Sequence, residues 1–261
     1  MNVFYFGDSQ RQLYGVLHTP RVEAPTPKAV LLCYPFGHEY MLAHRAYRQL
    51  AMLLTRIGYS VLRFDYRGTG DSSGELDSIG FEDWLDDIEI AVNELQQVTG
   101  AKKVDIVGLR LGALTATCTA LKLGTDIVDR VVLWDPVLSG LAYEKELIDY
   151  IESQTDRQGF FVDANQGLQS NGFYMNPGFL RALKEIDLVK LAPEFRGVLH
   201  IVSEATEHSE QLKNAWRDSP CYEFRHTPAP GDWNYVDVYG SILLPQPVIQ
   251  GIVEWIANTE A

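Results

Sequence analysis

The 261-residue chain holds only three cysteines, Cys33, Cys118 and Cys221, far apart and without C-x-x-C spacing. Such an odd, scattered set points neither to a disulfide framework nor to zinc. Cys33 and Cys118 fall in predicted core elements and read as small buried hydrophobes. Apolar runs are short: none approaches the roughly 18 residues a membrane-spanning helix needs. The first twenty residues lack a basic stretch followed by a long apolar one, so a cytoplasmic protein with no membrane partner is expected. Positive charge is scarce too. Lysine and arginine total 22 against 35 aspartates and glutamates, a formal net charge of -13 with the acids scattered, which opposes nucleic acid as a partner. Neither an internal repeat nor a low-complexity segment is present. Hydrophobic residues make up 46% of the chain, enough for a sizeable core.

Strand and helix signals alternate along the sequence. Phe4 to Phe6 and Gln12 to His18 read as a hairpin. KAVLLCYP (28–35) is an unbroken apolar run of the kind a strand covered on both faces shows. HRAYRQLAMLLTRIG (44–58) has helical spacing and a terminal glycine. YSVLRFDYR (59–67), FEDWLDDIEIAVNELQQVTG (81–100), KVDIVGLR (103–110) and LGALTATCTALKLG (111–124) repeat the pattern as strand, helix, strand and helix. RVVLWDPV (130–137), GVLHIVSE (197–204) and CYEFRH (221–226) read as later strands, and PQPVIQGIVEWIA (245–257) as a closing helix. This order predicts a mostly parallel sheet of about eight strands with helices on both faces. The long interval between its sixth and seventh strands reads as a helical cap insertion. The expected division is a core of 1–136 and 197–261 with a cap of 137–196.

Three motifs sit at strand ends: YPFGHEY (34–40), FDYRGTGDSSGE (64–75) and GLRLG (108–112). The last stands at a strand-to-helix junction, where a G-x-S-x-G nucleophile elbow places its central residue above a sheet. In this order and spacing the motifs resemble the α/β-hydrolase superfamily, and within it the serine-aminopeptidase-like and exosortase-associated hydrolase group. That resemblance implies an oxyanion loop near Phe36 and Gly37, a nucleophile at position 110, an acid after a late strand and a histidine after the last strand.

Arg110 stands where the nucleophile is expected, and a guanidinium has no proton-withdrawn lone pair with which to attack a carbonyl. The segment following CYEFRH contains no histidine. His226 lies earlier, as a strand histidine or one that swings inward. Glu204 and Glu207 are candidates for the acid or are exposed loop carboxylates, and Asp135 either lines the pocket or caps the next turn. Arg110, beside a helix N-terminus, is expected either to anchor an anionic substrate or to pair internally with Asp135, Glu39 or Glu204. His38 and Glu39 are a potential acid/base pair, or solvated loop residues. Arg45 is a second anion contact or a surface residue. Phe36, Gly37, Tyr40, Leu111, Trp134, Glu204, Asp232 and Trp233 are expected around the substrate.

Two functions fit these residues. One is a small-molecule enzyme working without a covalent intermediate, as a lyase, isomerase, cyclase or water-activating hydrolase, with Arg110 as anion anchor and His38, Glu39 or Asp135 as acid/base. The resemblance then implies an acyl- or thioester-derived substrate from specialised metabolism or exopolysaccharide systems. The other is an inactive pseudo-hydrolase that binds a ligand or a partner, its pocket filled by Phe160, Phe161 or Phe179. No cofactor or metal is expected. A carrier-protein- or CoA-linked acyl group and a homodimeric partner both remain open.

Overall fold

The computed structural model describes residues 1–20, 25–153, 161–163, 166–170, 172–231, 233 and 244–258. The opening hairpin is β1 (Asn2–Phe6) and β2 (Leu13–His18), paired antiparallel from Asn2 opposite Leu17 to Phe6 opposite Leu13. There follow β3 (Lys28–Cys33), α1 (His38–Arg56), β4 (Tyr59–Phe64), α2 (Phe81–Thr99), β5 (Val104–Leu109), α3 (Leu111–Leu123) and β6 (Val128–Trp134). Between β6 and the next sheet strand come α4 (Gly140–Glu152), a small antiparallel sheet of β7 (Phe161–Asp163), β8 (Gly167–Ser170) and β9 (Phe173–Met175), and α5 (Pro177–Lys184). The chain closes with β10 (Gly197–Val202), α6 (Glu207–Trp216), β11 (Tyr222–His226) and α7 (Gln246–Asn258).

The main sheet has eight strands in the order β1-β2-β4-β3-β5-β6-β10-β11. It is antiparallel only at β1-β2 and β2-β4 and parallel from β4 to β11. This is the expected α/β-hydrolase architecture. Every residue of β4, β5 and β10 is buried, as continuous apolar runs require when helices cover both faces. α1 packs on α7 and α2 on α3, giving the two helical layers. The insertion after β6 carries three short strands as well as the helices read from sequence.

α1 begins at His38, six residues before the sequence pattern suggests. Gly37 has φ 65°, so the chain turns straight from the end of β3 into the helix without a polar N-cap. His38, Glu39 and Tyr40 are therefore first-turn helical residues and not a solvated loop. Glu39 sits where the positive end of the helix dipole favours a carboxylate.

Inside the core, Arg130 of β6 donates from Nε to Asp105 Oδ1 at 2.9 Å and from Nη1 to the Ile256 carbonyl of α7 at 2.9 Å. Its Nη2 reaches Tyr59 Oη at 2.9 Å and Asp105 Oδ2 at 2.5 Å. Both charges are almost fully enclosed, with side-chain exposures of 2% and 5%. One guanidinium thus ties β5, β6, β4 and α7 together, and every polar partner matters because water cannot replace it. Replacing Asp105 with alanine strands the Arg130 charge, and equilibrium urea unfolding should record a loss of about 3–5 kcal/mol. A loss below about 1 kcal/mol would mean that the pair does not hold the layers.

Candidate functional site

The β5–α3 turn brings the site together. A Cβ on Gly108 would lie 2.3 Å from the Gly112 carbonyl oxygen and 2.4 Å from Ala113 Cα, and one on Gly112 would lie 2.3 Å from the Cys33 carbonyl oxygen. Only glycines let α3 start this close to the ends of β5 and β3. The residue between them, Arg110, takes φ 53° and ψ -121°, a conformation that costs an L-residue about 1–3 kcal/mol. Its amide donates to the Trp134 carbonyl at 3.1 Å, and its carbonyl accepts from Ala113 N at 3.0 Å and Val137 N at 3.2 Å. These bonds tie the strained turn to β6 and to the first turn of α3.

The Arg110 side chain is held by two carboxylates. Nε donates to Glu39 Oε1 at 3.0 Å, and Nη2 donates to Glu146 of α4. The guanidinium carbon also lies 5.9 Å from the centre of the Tyr143 ring, and Tyr143 Oη donates to Glu39 Oε2 at 3.2 Å. The two acids differ in kind. Glu39 is 1% exposed, whereas the side chain of Glu146 is 41% exposed. Burial raises the Glu39 carboxyl to about 7, with the Arg110 charge pulling the other way. Of the alternatives for Arg110, the structure therefore holds the internal pair. Of the three acids expected as partners, Glu39 pairs with Arg110 and Asp135 and Glu204 do not, while Glu146 is a partner that the motifs do not indicate.

Beside this cluster a cavity of about 580 Å3 opens between the ends of β6 and β10, α4 and the start of α6. Arg110, Glu146 and Asp135 line it, with Trp233, Glu204 and Ser203. Asp135 follows β6 with φ 41°. It accepts from Ser203 N at 2.6 Å, from Ser203 Oγ at 2.8 Å and from Trp233 Nε1 at 2.9 Å. Burial raises its carboxyl above the usual aspartate value while these three donors oppose the rise. Trp233 is 2% exposed and packs edge-on against Trp134 at 5.6 Å.

Of the site residues expected from sequence, Arg110, Asp135, Glu204 and Trp233 meet at the cavity, Glu204 as an exposed residue. Glu39 lies behind Arg110. His38 is buried with its ring stacked on Tyr150 at 4.9 Å, and neither it nor Glu39 lines the cavity. Leu111 and Trp134 are fully buried core residues, because α3 packs down on the sheet and β6 is an interior strand. Phe36 is packed against Trp84 and Phe173. Gly37 and Tyr40 instead border a crevice of about 10 Å3, where Tyr40 Oη donates to Asp65 Oδ1 at 2.9 Å. Asp232 and Phe160 lie outside the described residues, as does the side chain of Phe161. Phe179 packs edge-on against Phe81 and Trp84 and does not fill the cavity. His226 is exposed at the end of β11, and Glu207 and Arg45 are exposed.

Sequence reading missed Ser203 and Glu146. Ser203 sits beside an apolar strand, and Glu146 lies in a helix far along the chain from Arg110. Among the described residues no group of three His, Cys, Asp or Glu is arranged to hold a metal ion, and no helix is long and apolar enough to cross a membrane.

The family described as serine aminopeptidase, S33 matches residues 26–219. Est1E from Butyrivibrio proteoclasticus has the same fold, with a TM-score of 0.69 at 14% identity over 99% of both chains. Another structure of Est1E contains bound ferulic acid. The proline iminopeptidase of Mycobacterium smegmatis aligns with a TM-score of 0.67 at 12% identity, covering 99% of this chain and 98% of its own. A proline iminopeptidase-related protein from Thermus thermophilus gives 0.65 at 17% identity, over 98% and 97%. At such identities the likeness is one of fold. No curated protein matches the chain. The family match spans most of the sequence and the strand order agrees with it, so the chain belongs to the serine aminopeptidase S33 family of the α/β-hydrolase fold.

Proposed function

We propose that this protein has left serine catalysis and binds a small molecule non-covalently in the cavity beside Arg110. The observation that carries the proposal is the Arg110 cluster. The strained residue of the β5–α3 turn, where this fold presents its nucleophile, is a guanidinium held by Glu39 and Glu146. Glu146, joined by Glu39 as pH rises through about 7, offsets the guanidinium, so the charge at position 110 is already neutralised. Ser203 is the one hydroxyl bonded to Asp135 among the described residues, but its proton goes to a carboxylate and no histidine hydrogen-bonds to it there. A hydroxyl without an imidazole base is a poor nucleophile.

A second reading, non-covalent catalysis on an anionic, acyl- or thioester-derived substrate, draws support from the unequal exposure of the two acids. Glu39 is enclosed, but Glu146 faces the cavity and solvent, so a substrate carboxylate or phosphate has one position to take over on Arg110. Asp135, with its raised pKa at the cavity wall, would then be the proton-transfer group.

A fluorophosphonate should leave the protein unlabelled, as judged by intact-mass spectrometry. Adduct formation on Ser203 or any other cavity serine would sink the claim that serine catalysis is absent. The two readings part on Glu146→Gln. Removing the competing carboxylate should tighten binding of a simple anion such as butyrate by about tenfold if Arg110 is an anchor, and leave it unchanged if Arg110 is only a wall.

Glu39 also leaves a signature in stability. Its carboxyl titrates near 7 when folded against 4.5 unfolded, so the folded state holds the extra proton between those values. Its contribution is therefore complete below about 4.5 and is lost as pH rises through about 7. Urea unfolding across this window should show the decline in the native protein and a flatter profile in Glu39→Gln. Parallel profiles would mean that Glu39 is ionised throughout.

A further inference from the structure

In a chain of formal net charge -13, one helix presents the opposite sign. The exposed residues of α1 are Met41, His44, Arg45, Arg48, Met52 and Arg56. Its one acid, Glu39, is buried against Arg110. Arg45, Arg48 and Arg56 form no hydrogen bond or ion pair with any described residue. By contrast, the exposed Arg11, Lys122, Lys184, Lys190 and Arg196 each pair with a carboxylate.

These side chains form one stripe. Steps of four, three, four and four residues lead from Met41 through Arg45, Arg48 and Met52 to Arg56, which keeps them on one helical face over about 22 Å. The helix dipole accounts for Arg56 in the last turn but not for Arg45 and Arg48 in the middle. The ground beneath is positive too. Arg63 of β4, itself buried, donates to His18 Nε2 at 3.1 Å and to Tyr34 Oη at 2.8 Å, and makes no ion pair with a described residue. The Tyr34 ring in turn stacks on that of His44 at 6.4 Å. Partial burial and the charge of Arg63 hold the His44 imidazole below its usual range; Arg48 and Arg45 add to this, and Asp65 opposes it.

We propose that the exposed stripe of α1 docks an acidic amphipathic helix of a partner protein, whose carboxylates meet Arg45, Arg48 and Arg56 and whose apolar residues cover Met41 and Met52. The unpaired charge calls for the acids. The two methionines, exposed by 66% and 40%, call for the apolar residues, because a thioether adapts to varied partners. A stripe about 22 Å long matches about four turns of helix. Other occupants fit less well. A second copy would have to bring an acidic face other than α1, and a contact between unlike faces gives rings or filaments instead of a closed pair. A membrane or a nucleic acid extends past the stripe onto an acidic surface, whose repulsion reaches about 8 Å in physiological salt. The docking surface is independent of the cavity and of what Arg110 does there.

The probe is a synthetic helix of leucine, alanine and glutamate, with its glutamates and leucines along one face, set against the same peptide with glutamine for glutamate. Binding to the whole protein is followed by fluorescence anisotropy and by methyl NMR of the four methionines, of which Met175 is buried and serves as the control. The acidic peptide should bind about tenfold tighter than the glutamine peptide, with the difference shrinking as salt rises. It should shift Met41 and Met52 and leave Met175 in place. In the double variant Arg45→Glu, Arg48→Glu the preference should vanish. If that variant does not fold, the methyl shifts of the native protein decide. Equal binding of the two peptides, binding of neither, a preference that survives in the folded double variant, or shifts that spare Met41 and Met52 overturn the proposal. Vesicles of phosphatidylcholine and phosphatidylserine are the rival probe: if they shift both methionines and the acidic peptide does not, the stripe is a membrane contact and the proposal falls.

Discussion

The close approach of three backbones at the β5–α3 turn governs what this protein can present to a ligand. Gly108 and Gly112 leave no room for side chains against α3 and the end of β3, so the chain can pass only with residue 110 in a strained, positive-φ conformation. Whatever stands there projects above the sheet. Here it is a guanidinium, and much of the surrounding arrangement accommodates that choice: α1 starts early enough to place Glu39 beneath it, and α4 presents Glu146 and Tyr143 from the insertion. The strain of one residue and the desolvation of two charges are borne by a scaffold whose β5 and β6 are pinned separately by Arg130 and Asp105.

Two of the buried ion pairs, Arg130–Asp105 and Arg110–Glu39, show how different such pairs can be. Arg130 meets its carboxylate with Nε and Nη2, shares Nη2 with a phenol and gives Nη1 to a carbonyl, so all three nitrogens are engaged inside the fold. Arg110 faces two acids of unlike exposure at a cavity wall. The first geometry stiffens a core. The second leaves one contact that solvent and solutes can reach, which is the reason the site carries two readings of function where the core carries none.

Most of the fold was legible because parallel strands covered on both faces must be written as apolar runs, and KAVLLC, YSVLRF and VDIVGL are such runs. The start of α1 was not, because its signal is Gly37 turning through a positive φ and not a serine, threonine or aspartate cap. The strands of the insertion are three or four residues long, too short for alternation to register. At the site, Arg110 followed from chemistry at one motif, and Glu39 was one of three acids, with Asp135 and Glu204, weighed as its internal partner against a bound anion. Phe36 and Leu111 read as site residues because they lie inside motifs, and Trp134 because it precedes Asp135, but neighbours along the chain divide between cavity and core, and these three went to the core. Glu146 and Ser203 were invisible because their meaning depends on contacts across long stretches of chain.

The Arg110 cluster also sets the terms on which the site can change. A serine placed at position 110 would inherit the turn but not the charge, and Glu39 and Glu146 would face each other across the space the guanidinium now occupies. Glu39, enclosed as it is, could remain only by keeping a proton. A nucleophile at 110 therefore requires changes on α1 and α4 as well, and an imidazole from a segment that has none. The three charged groups of this corner form a unit that is hard to leave one residue at a time, so the arginine, once paired, protects its own position.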